Sequence, residues 1–332
     1  MKRPSHKFVE MKKAYSDLQK KIIDMACFLL TVFLMVLLSI VAGEREIIFP
    51  EVGAIAAGMF LTPHRSWMTN GRRMFLLLLV CGIIGMGIVR FVPLPLTLQM
   101  ILGYAVALFI QSVSGTSFMP MISALVLPIL LQTRSLLYIA SIVIFTSIII
   151  VLRKILEKTG VKAEEEFIPV QKNLPVTLSV FRLVVASVMI FAAIKTGWRF
   201  MAAPPLLVAF TELSAYKNKV IRMHPIRVII LLTLSAASGA YVRMAFVRLP
   251  GIFTIVSLLI SSVIFLIIFY HTGPMVPPAG AAMVLAYLAP EKMLATYPIQ
   301  ICAGISVYVG VTLIRNAVMK KYKSDFLFFK NH

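Results

Sequence analysis

Apolar positions along this chain fall into runs separated by short polar stretches. The runs are residues 22–42, 49–62, 74–92, 97–115, 118–132, 136–152, 177–194, 200–213, 226–246, 252–270, 274–289 and 297–314. Runs of about 18 residues or more are long enough to cross the hydrocarbon core of a bilayer as helices. The pattern therefore predicts an all-α polytopic membrane protein.

Four of these runs are short: residues 49–62, 118–132, 200–213 and 274–289. At about 1.5 Å per residue, the first two reach only about 21–23 Å, whereas the hydrocarbon core is about 30 Å thick. They fit either short tilted spans or half-helices that enter and leave the membrane on one side. In the second case each half of the chain keeps four full crossings.

Several sequence features recur about 154–157 residues after their first appearance. The pairs include Arg73 and Arg227, Gly85 and Gly239, and Pro120 and Pro277. We interpret this recurrence as two parallel repeats of six segments, each with short or broken helices. Internal symmetry of this kind is common in transporters. The predicted parts are repeats 22–152 and 177–314, a charged connector 153–176 and a basic cytoplasmic tail 315–332.

Lysine and arginine are distributed unevenly among the predicted loops. If all the segments cross, the loops and termini on one side hold 24 of these residues, and the loops on the other side hold 8. Cytoplasmic loops carry this excess in membrane proteins, so both termini are predicted to be cytoplasmic and the protein to lie in the plasma membrane. The net charge of +20 is then a topology signal, and no nucleic-acid partner is predicted.

The basic N-terminal segment, residues 1–21, has apolar residues three or four positions apart, which places them on one helical face. These apolar residues are Phe8, Met11, Tyr15 and Leu18, with Ile22 next in the series. Two structures fit this pattern: an amphipathic helix on the cytoplasmic membrane surface, or an extension of the first crossing into the cytosol.

Two polar breaks rich in glycine and proline precede two of the short runs. Irregular backbone at membrane depth is tolerated only where protein or a water-filled cavity bonds its N–H and C=O groups. A helix that starts at such a break directs free N–H groups at a cavity and attracts anions. The alternative is a tight hairpin of two helices that binds nothing. The predicted substrate-binding residues are Ser114, Gly115, Thr116, Ser117, Pro120, His271, Thr272, Gly273, Pro277 and Pro278.

Three ionisable residues are candidates for further roles. Glu51 and Glu212 are candidate coupling residues, because carboxylates inside a membrane are costly and usually functional. The alternative is that both lie near segment ends, where water reaches them. His271 suits a proton relay by its ordinary titration range, or it is an interfacial hydrogen-bonding residue.

The sequence lacks the motifs of several enzyme and cofactor sites. It has no Gly-rich loop ending in Gly-Lys-Ser/Thr, no His-Glu-x-x-His pattern and no paired cysteines among Cys27, Cys81 and Cys302. We therefore predict no enzyme activity, no metal and no cofactor. An intramembrane enzyme is the weakest of the interpretations, since no paired catalytic groups are present.

The second break contains a recognisable motif. Val276-Pro277-Pro278-Ala279-Gly280-Ala281 resembles the His-Pro-Pro-Ala-Gly-Ala signature of the HPP family of integral membrane proteins, with Val276 at the histidine position. Phe49-Pro50-Glu51-Val52-Gly53-Ala54 resembles that family's Pro-x-x-Gly-Ala segment. The resemblance covers most of each half, so the chain looks like two fused, degenerate HPP-like units. Some members of the family are linked to nitrite transport, which the resemblance implies as an expected activity.

The leading functional hypothesis is a secondary transporter of a small polar or anionic solute, with its site between the broken helices of the two repeats. Two alternatives remain open: a channel-like pore at the repeat interface, and a membrane scaffold or assembly subunit without transport. The expected partners are the solute and the lipid bilayer, and a second copy of the chain is a further candidate.

Overall fold

The structure is a computed structural model that describes residues 15–170, 175–215, 223–246, 252–273 and 276–330, without the side chains of residues 252 and 321–330. The described residues form helices and no strands. In chain order the α-helices are α1 (Asp17–Ala42), α2 (Glu51–Ala56), α3 (Gly71–Phe91), α4 (Leu96–Ser114), α5 (Pro120–Leu131), α6 (Leu137–Thr159), α7 (Val176–Lys195), α8 (Pro204–Leu213), α9 (Pro225–Phe246), α10 (Ile252–Thr272), α11 (Pro278–Leu285) and α12 (Tyr297–Lys330). A π-helical turn, Ala57–Leu61, continues α2.

Eight of the described helices are long and apolar enough to cross a membrane: α1, α3, α4, α6, α7, α9, α10 and α12. They leave large apolar side chains exposed, among them Phe91, Phe109 and Val188. Apolar side chains all round a long helix are typical of membrane spans, whose outer faces contact lipid. The prediction of an all-α, multi-pass membrane protein is confirmed.

The short helices α2, α5, α8 and α11 lie inside the bundle. Every residue of α2 and of α11 is buried, as is α5 from Pro120 to Leu130. Helix α2 packs against α11, and α5 packs against α8. Because these helices are predominantly apolar around their whole circumference, the bundle interior is the environment in which they are stable.

Several observed boundaries differ from the predicted ones. Helix α6 continues to Thr159, so the first seven residues of the predicted connector are helical. The Arg153–Glu157 ion pair, four residues apart, supports this extra turn, and Gly160 ends it with a left-handed φ of 83°. Helix α12 likewise continues through most of the predicted tail. Residues 1–14 of the predicted surface helix lie outside the described residues, and α1 begins at Asp17.

Two close contacts of the same kind join long helices to short ones. A Cβ atom at Gly85 of α3 would lie 2.1 Å from the carbonyl oxygen of Leu125, and one at Gly239 of α9 would lie 2.1 Å from that of Met283. Only glycine permits such an approach of two backbones. These two glycines therefore set how closely α5 and α11 are held.

Tyrosines make a second pair of matching contacts with the same short helices. The hydroxyl of Tyr138 donates to the Ala124 carbonyl, and that of Tyr297 donates to the Ala282 carbonyl, each at 2.7 Å. Each tyrosine ring also meets a phenylalanine edge to face, Phe49 for Tyr138 and Phe200 for Tyr297. The same contacts thus occur in both halves of the chain.

We expect Gly85→Ala and Gly239→Ala each to destabilise the protein by about 1–3 kcal/mol, because the added methyl group forces two packed backbones apart. The matched control is Gly87→Ala, where a Cβ atom meets nothing within 4 Å. Thermal unfolding of the purified variants in one detergent measures the difference. Equal unfolding temperatures for Gly85→Ala and Gly87→Ala would contradict this packing.

Candidate functional site

The N-terminal turns of the four short helices meet around one small space. Each helix contributes a residue from its first two positions and the residue three positions later, which lies on the same helical face. We call this the central space; it is lined by Glu51, Ala54, Pro120, Ser123, Pro205, Val208, Pro278 and Ala281. It is too narrow to admit a water molecule.

Prolines explain why helices begin at this depth. Pro120, Pro204 and Pro278 each occupy the first position of a short helix. Proline has a fixed φ suited to a first helical turn, and it lacks the N–H group that would otherwise need a partner there. A helix can therefore start inside the bundle with fewer unbonded donors.

Most of the remaining first-turn donors are already bonded. The N–H groups of Gly53, Ile122 and Gly280 donate to carbonyls three residues earlier, at 2.9–3.0 Å. The sequence led us to expect free N–H groups directed at a cavity. In this conformation prolines and short-range hydrogen bonds leave few of them available to a ligand.

Glu51 is the acidic residue of the central space. Its side chain is fully buried, and so are Ile47, Ile48 and Phe49 in the loop before it. The Ser123 hydroxyl donates a hydrogen bond to Oε1, and Oε2 is buried without a partner. The alternative that Glu51 lies in water at a segment end does not fit this position.

Glu212 lies at the other end of α8 from the central space. It lies seven positions after Pro205, which is about 10 Å along a helix. Its Oε1 accepts a hydrogen bond from the Trp67 indole N–H at 2.7 Å. The two predicted coupling carboxyls therefore occupy different sites.

Ser114 to Ser117 bond mainly to nearby loops. Gly115 ends α4 with a left-handed φ of 64°, the usual role of glycine at a helix C-terminus. The Ser117 hydroxyl accepts the Met68 N–H at 2.8 Å, and Arg73 donates to the Ser114 carbonyl at 2.9 Å. These side chains stabilise the loop that leads to α5. Thr116 contributes to the same loop through its contact with the Ser114 hydroxyl.

The second break has the same outline. Gly273, with a φ of 86°, ends α10, and Pro277 precedes α11. The Thr272 hydroxyl donates to the Ile268 carbonyl, and the exposed His271 ring lies 2.9 Å from the Ile267 carbonyl. Pro274 and Met275 lie outside the described residues. Of the ten predicted binding residues, Pro120 and Pro278 line the central space.

Cations bond to the C-terminal end of the α2 segment. Arg153 donates to the Met59 carbonyl, and Lys162 donates to the Thr62 carbonyl at 3.0 Å. Glu157 pairs with both Arg153 and Arg65 at 2.6–2.7 Å. Carbonyls at a helix C-terminus attract cations, so this network fixes α2 at what we call the connector end of the bundle, where the 160–170 loop lies.

Lys162 also forms a buried ion pair with Asp24 of α1 at 2.7 Å. Burial lowers the pKa of the Lys162 ammonium, and the Asp24 carboxylate opposes this shift. The second Asp24 oxygen, Oδ1, is buried without a hydrogen-bond partner. The pair therefore connects α1, α2 and the connector in one place.

Arginines also bond to the C-terminal end of α8. Arg182, which is buried, donates to the Thr211 carbonyl and to the Ser214 hydroxyl. Arg315 of α12 donates to the Ser214 carbonyl at 3.1 Å. The short helices α2 and α8 are thus held by cations at one end and by prolines at the other.

Sequence reasoning missed Ser123, Trp67 and the role of Arg182. Arg182 left a signal, because it lies within the apolar run 177–194. Asp24 left a similar signal, as a charged residue within the apolar run 22–42. Ser123 left none, since a single serine in an apolar helix is common and its partner lies 72 residues away.

No known protein family, curated protein or solved structure matches this chain significantly. Within the part of the chain that the structure describes, no group of three His, Cys, Asp or Glu side chains is placed to hold a metal ion. The geometry of the central space and of the two breaks therefore carries the functional argument.

We expect Lys162→Met to destabilise the protein by about 3–5 kcal/mol, because it leaves the Asp24 carboxylate buried without its counter-ion. The double variant Asp24→Asn with Lys162→Met should recover much of this loss. Lys158→Met, at an exposed position of the same region, is the control. Thermal unfolding in detergent is the measurement, and a loss no larger than that of the control would disprove the buried pair.

Proposed function

We propose that this chain is a secondary transporter of a small polar or anionic solute, which passes between its two halves. One observation carries the proposal: four short helices begin inside a membrane bundle, and their first turns meet at the central space. Helices broken at this depth are typical of transporter binding sites. A purely structural bundle has no need of four such breaks.

We further propose that the halves, residues 22–152 and 177–314, are two parallel repeats. The paired glycine and tyrosine contacts described above support this. So does the packing between halves: α2 packs against α11 as α8 packs against α5, and α1 packs against α10 as α7 packs against α4. Such an exchange of partners is expected when two like units are related by an approximate two-fold axis.

Alternating access requires that the halves move relative to each other. Side-chain hydrogen bonds between the halves include Trp67 to Glu212, Tyr104 to Thr211, and Arg182 to Gln111. All three involve the C-terminal half of α8 or its surroundings, toward the connector end. At the opposite end lies a cavity of about 220 Å³ lined by both halves, with Arg45 and Leu288 among its residues. The connector end also has a cavity, of about 230 Å³, but residues of the first half and the connector line it, and none of the second half does. The hydrogen bonds between the halves therefore support a conformation in which the halves are closed against each other toward the connector end.

The residues of the HPP-like motif have identifiable roles in the packing of α11 against α2. Pro277 caps α11 and Pro278 begins it, and Gly280 lets α11 approach α2, since a Cβ atom at Gly280 would lie 2.4 Å from the Gly53 carbonyl oxygen. Gly53 belongs to the other segment that resembles the family. We therefore retain HPP-family membership, and an anion such as nitrite, as proposals. The excess of Lys and Arg supports a plasma-membrane location with the connector end in the cytoplasm.

The test is uptake by the purified chain in lipid vesicles, with nitrite, nitrate and formate as probes. A transporter gives uptake of at least one probe that saturates with concentration. We expect Gly53→Ala and Gly280→Ala to lower this uptake about tenfold, equivalent to about 1.4 kcal/mol, because each added methyl group forces the α2 and α11 backbones apart beside the central space. Gly310→Ala is the control, as its Cβ atom meets nothing within 4 Å.

A second set of variants separates the two parts of the proposed pathway. Ser114→Ala, Thr116→Ala and His271→Ala alter the breaks without filling the central space. A loss of uptake in these variants places solute contacts at the breaks. Uptake that neither set affects would refute the proposed site. Flux that does not saturate would indicate a pore, and absence of flux with a stably bound partner would indicate a scaffold.

A further inference from the structure

Glu51 is a buried acid with half of its hydrogen-bonding capacity unused. Oε1 accepts the Ser123 hydroxyl, and Oε2 is fully buried without a hydrogen-bond partner; among the described residues, the one further donor near the carboxyl is the backbone N–H of Glu51 itself. The side chain lines the central space, which excludes water. A carboxyl group that only held helices together would be expected to have both oxygens bonded.

The groups that face Glu51 from the neighbouring helices do not neutralise it. From α5 comes the Ser123 hydroxyl, and from α8 and α11 come proline, valine and alanine side chains. Tyr138 of α6 is close enough to interact electrostatically with the Glu51 carboxyl, but its hydroxyl donates its hydrogen bond to the Ala124 carbonyl. Cys81 of α3 lies near Tyr138. Among the described residues, no Lys, Arg or His forms an ion pair with Glu51.

An ionised carboxylate in such surroundings is costly. Burying a charge without a counter-ion costs so much that the group is usually neutralised instead. The first-turn dipoles of the short helices favour a negative charge. However, prolines and short-range hydrogen bonds leave few first-turn N–H groups free to donate to a carboxylate. A proton on Oε2 removes the charge and keeps the bond from Ser123 to Oε1.

We propose that Glu51 is a proton-binding site, occupied in this closed conformation and emptied when the N-terminal turns separate. On separation, water enters the central space and accepts the proton from Oε2 as hydronium, which leaves the carboxylate bonded to Ser123. Closure requires the reverse transfer. Under the proposed transport function, which this coupling role assumes, opening and closing would therefore move one proton together with the solute.

The site exists in one half of the molecule. The residue at the position of Glu51 in the second half is Pro205, which also lines the central space. Glu212 cannot replace it, because Glu212 bonds to Trp67 at the other end of α8. The central space therefore has one such carboxyl, so one proton is released and rebound in each cycle of opening and closing.

Infrared spectroscopy of the full chain in lipid vesicles tests the proton site without a transported solute. A protonated buried carboxyl has a C=O stretching band that a carboxylate lacks. We expect this band in the wild type at neutral pH, its loss in Glu51→Gln, and its retention in the control Glu212→Gln. Ser123→Ala should move the band to higher frequency, since the carbonyl oxygen loses its hydrogen bond; this shift identifies Oε1 as the carbonyl oxygen and Oε2 as the protonated one.

The outcomes are distinct. Glu51→Gln preserves shape and the bond from Ser123, so it should fold, and its thermal unfolding in the same vesicles verifies this. Identical carboxyl spectra for folded wild type and Glu51→Gln at every pH would overturn the proposal. Vesicles that show the band but take up none of the probe anions would leave the proton site in place and count against transport alone.

Discussion

Every backbone N–H and C=O group inside a membrane has to be bonded within the protein, and the four short helices are the places where this requirement is hardest to meet. Each begins inside the bundle, where a helix normally leaves donors unbonded. Prolines remove some of these donors, and short turns bond others, as at Gly53 and Gly280. At the far ends of α2 and α8, Arg153 and Arg182 bond the last carbonyls. Prolines and short turns at the helix starts, and arginines at the helix ends, are thus the two ways in which the interior backbone is bonded.

The same requirement explains the small residues. Four helix starts fit around a space without water only if the backbones approach closely, and the contact of Gly53 with Gly280 achieves this between α2 and α11. Contacts of this kind are apolar and short, so separating them breaks few hydrogen bonds. The polar bonds between the halves, such as Trp67 to Glu212, lie toward the connector end. Under the proposed transport function, such a centre can open while the outer helices stay intact.

The long helices could be predicted from the sequence because burial in lipid is a property of a whole run of residues. The run 74–92, for example, corresponds to α3, Gly71–Phe91. The breaks were also visible, since Gly115 and Gly273 carry a local signal. The partners of the polar side chains were not, because they depend on contacts between distant parts of the chain. Ser123 bonds to Glu51 from 72 residues away, and no periodicity in the sequence encodes that distance.

The difference between the halves has the largest consequence for mechanism. In the proposed arrangement of two repeats, the short helices would form a symmetric centre if the two sequences agreed there. They do not agree, because Glu51 occupies the first half where Pro205 occupies the second. Proline satisfies the backbone and carries no charge, whereas glutamate adds a group whose charge depends on whether water is present. Under the proposed proton-binding role of Glu51, one half therefore serves as structure at the centre, and the other half makes the centre sensitive to its own opening.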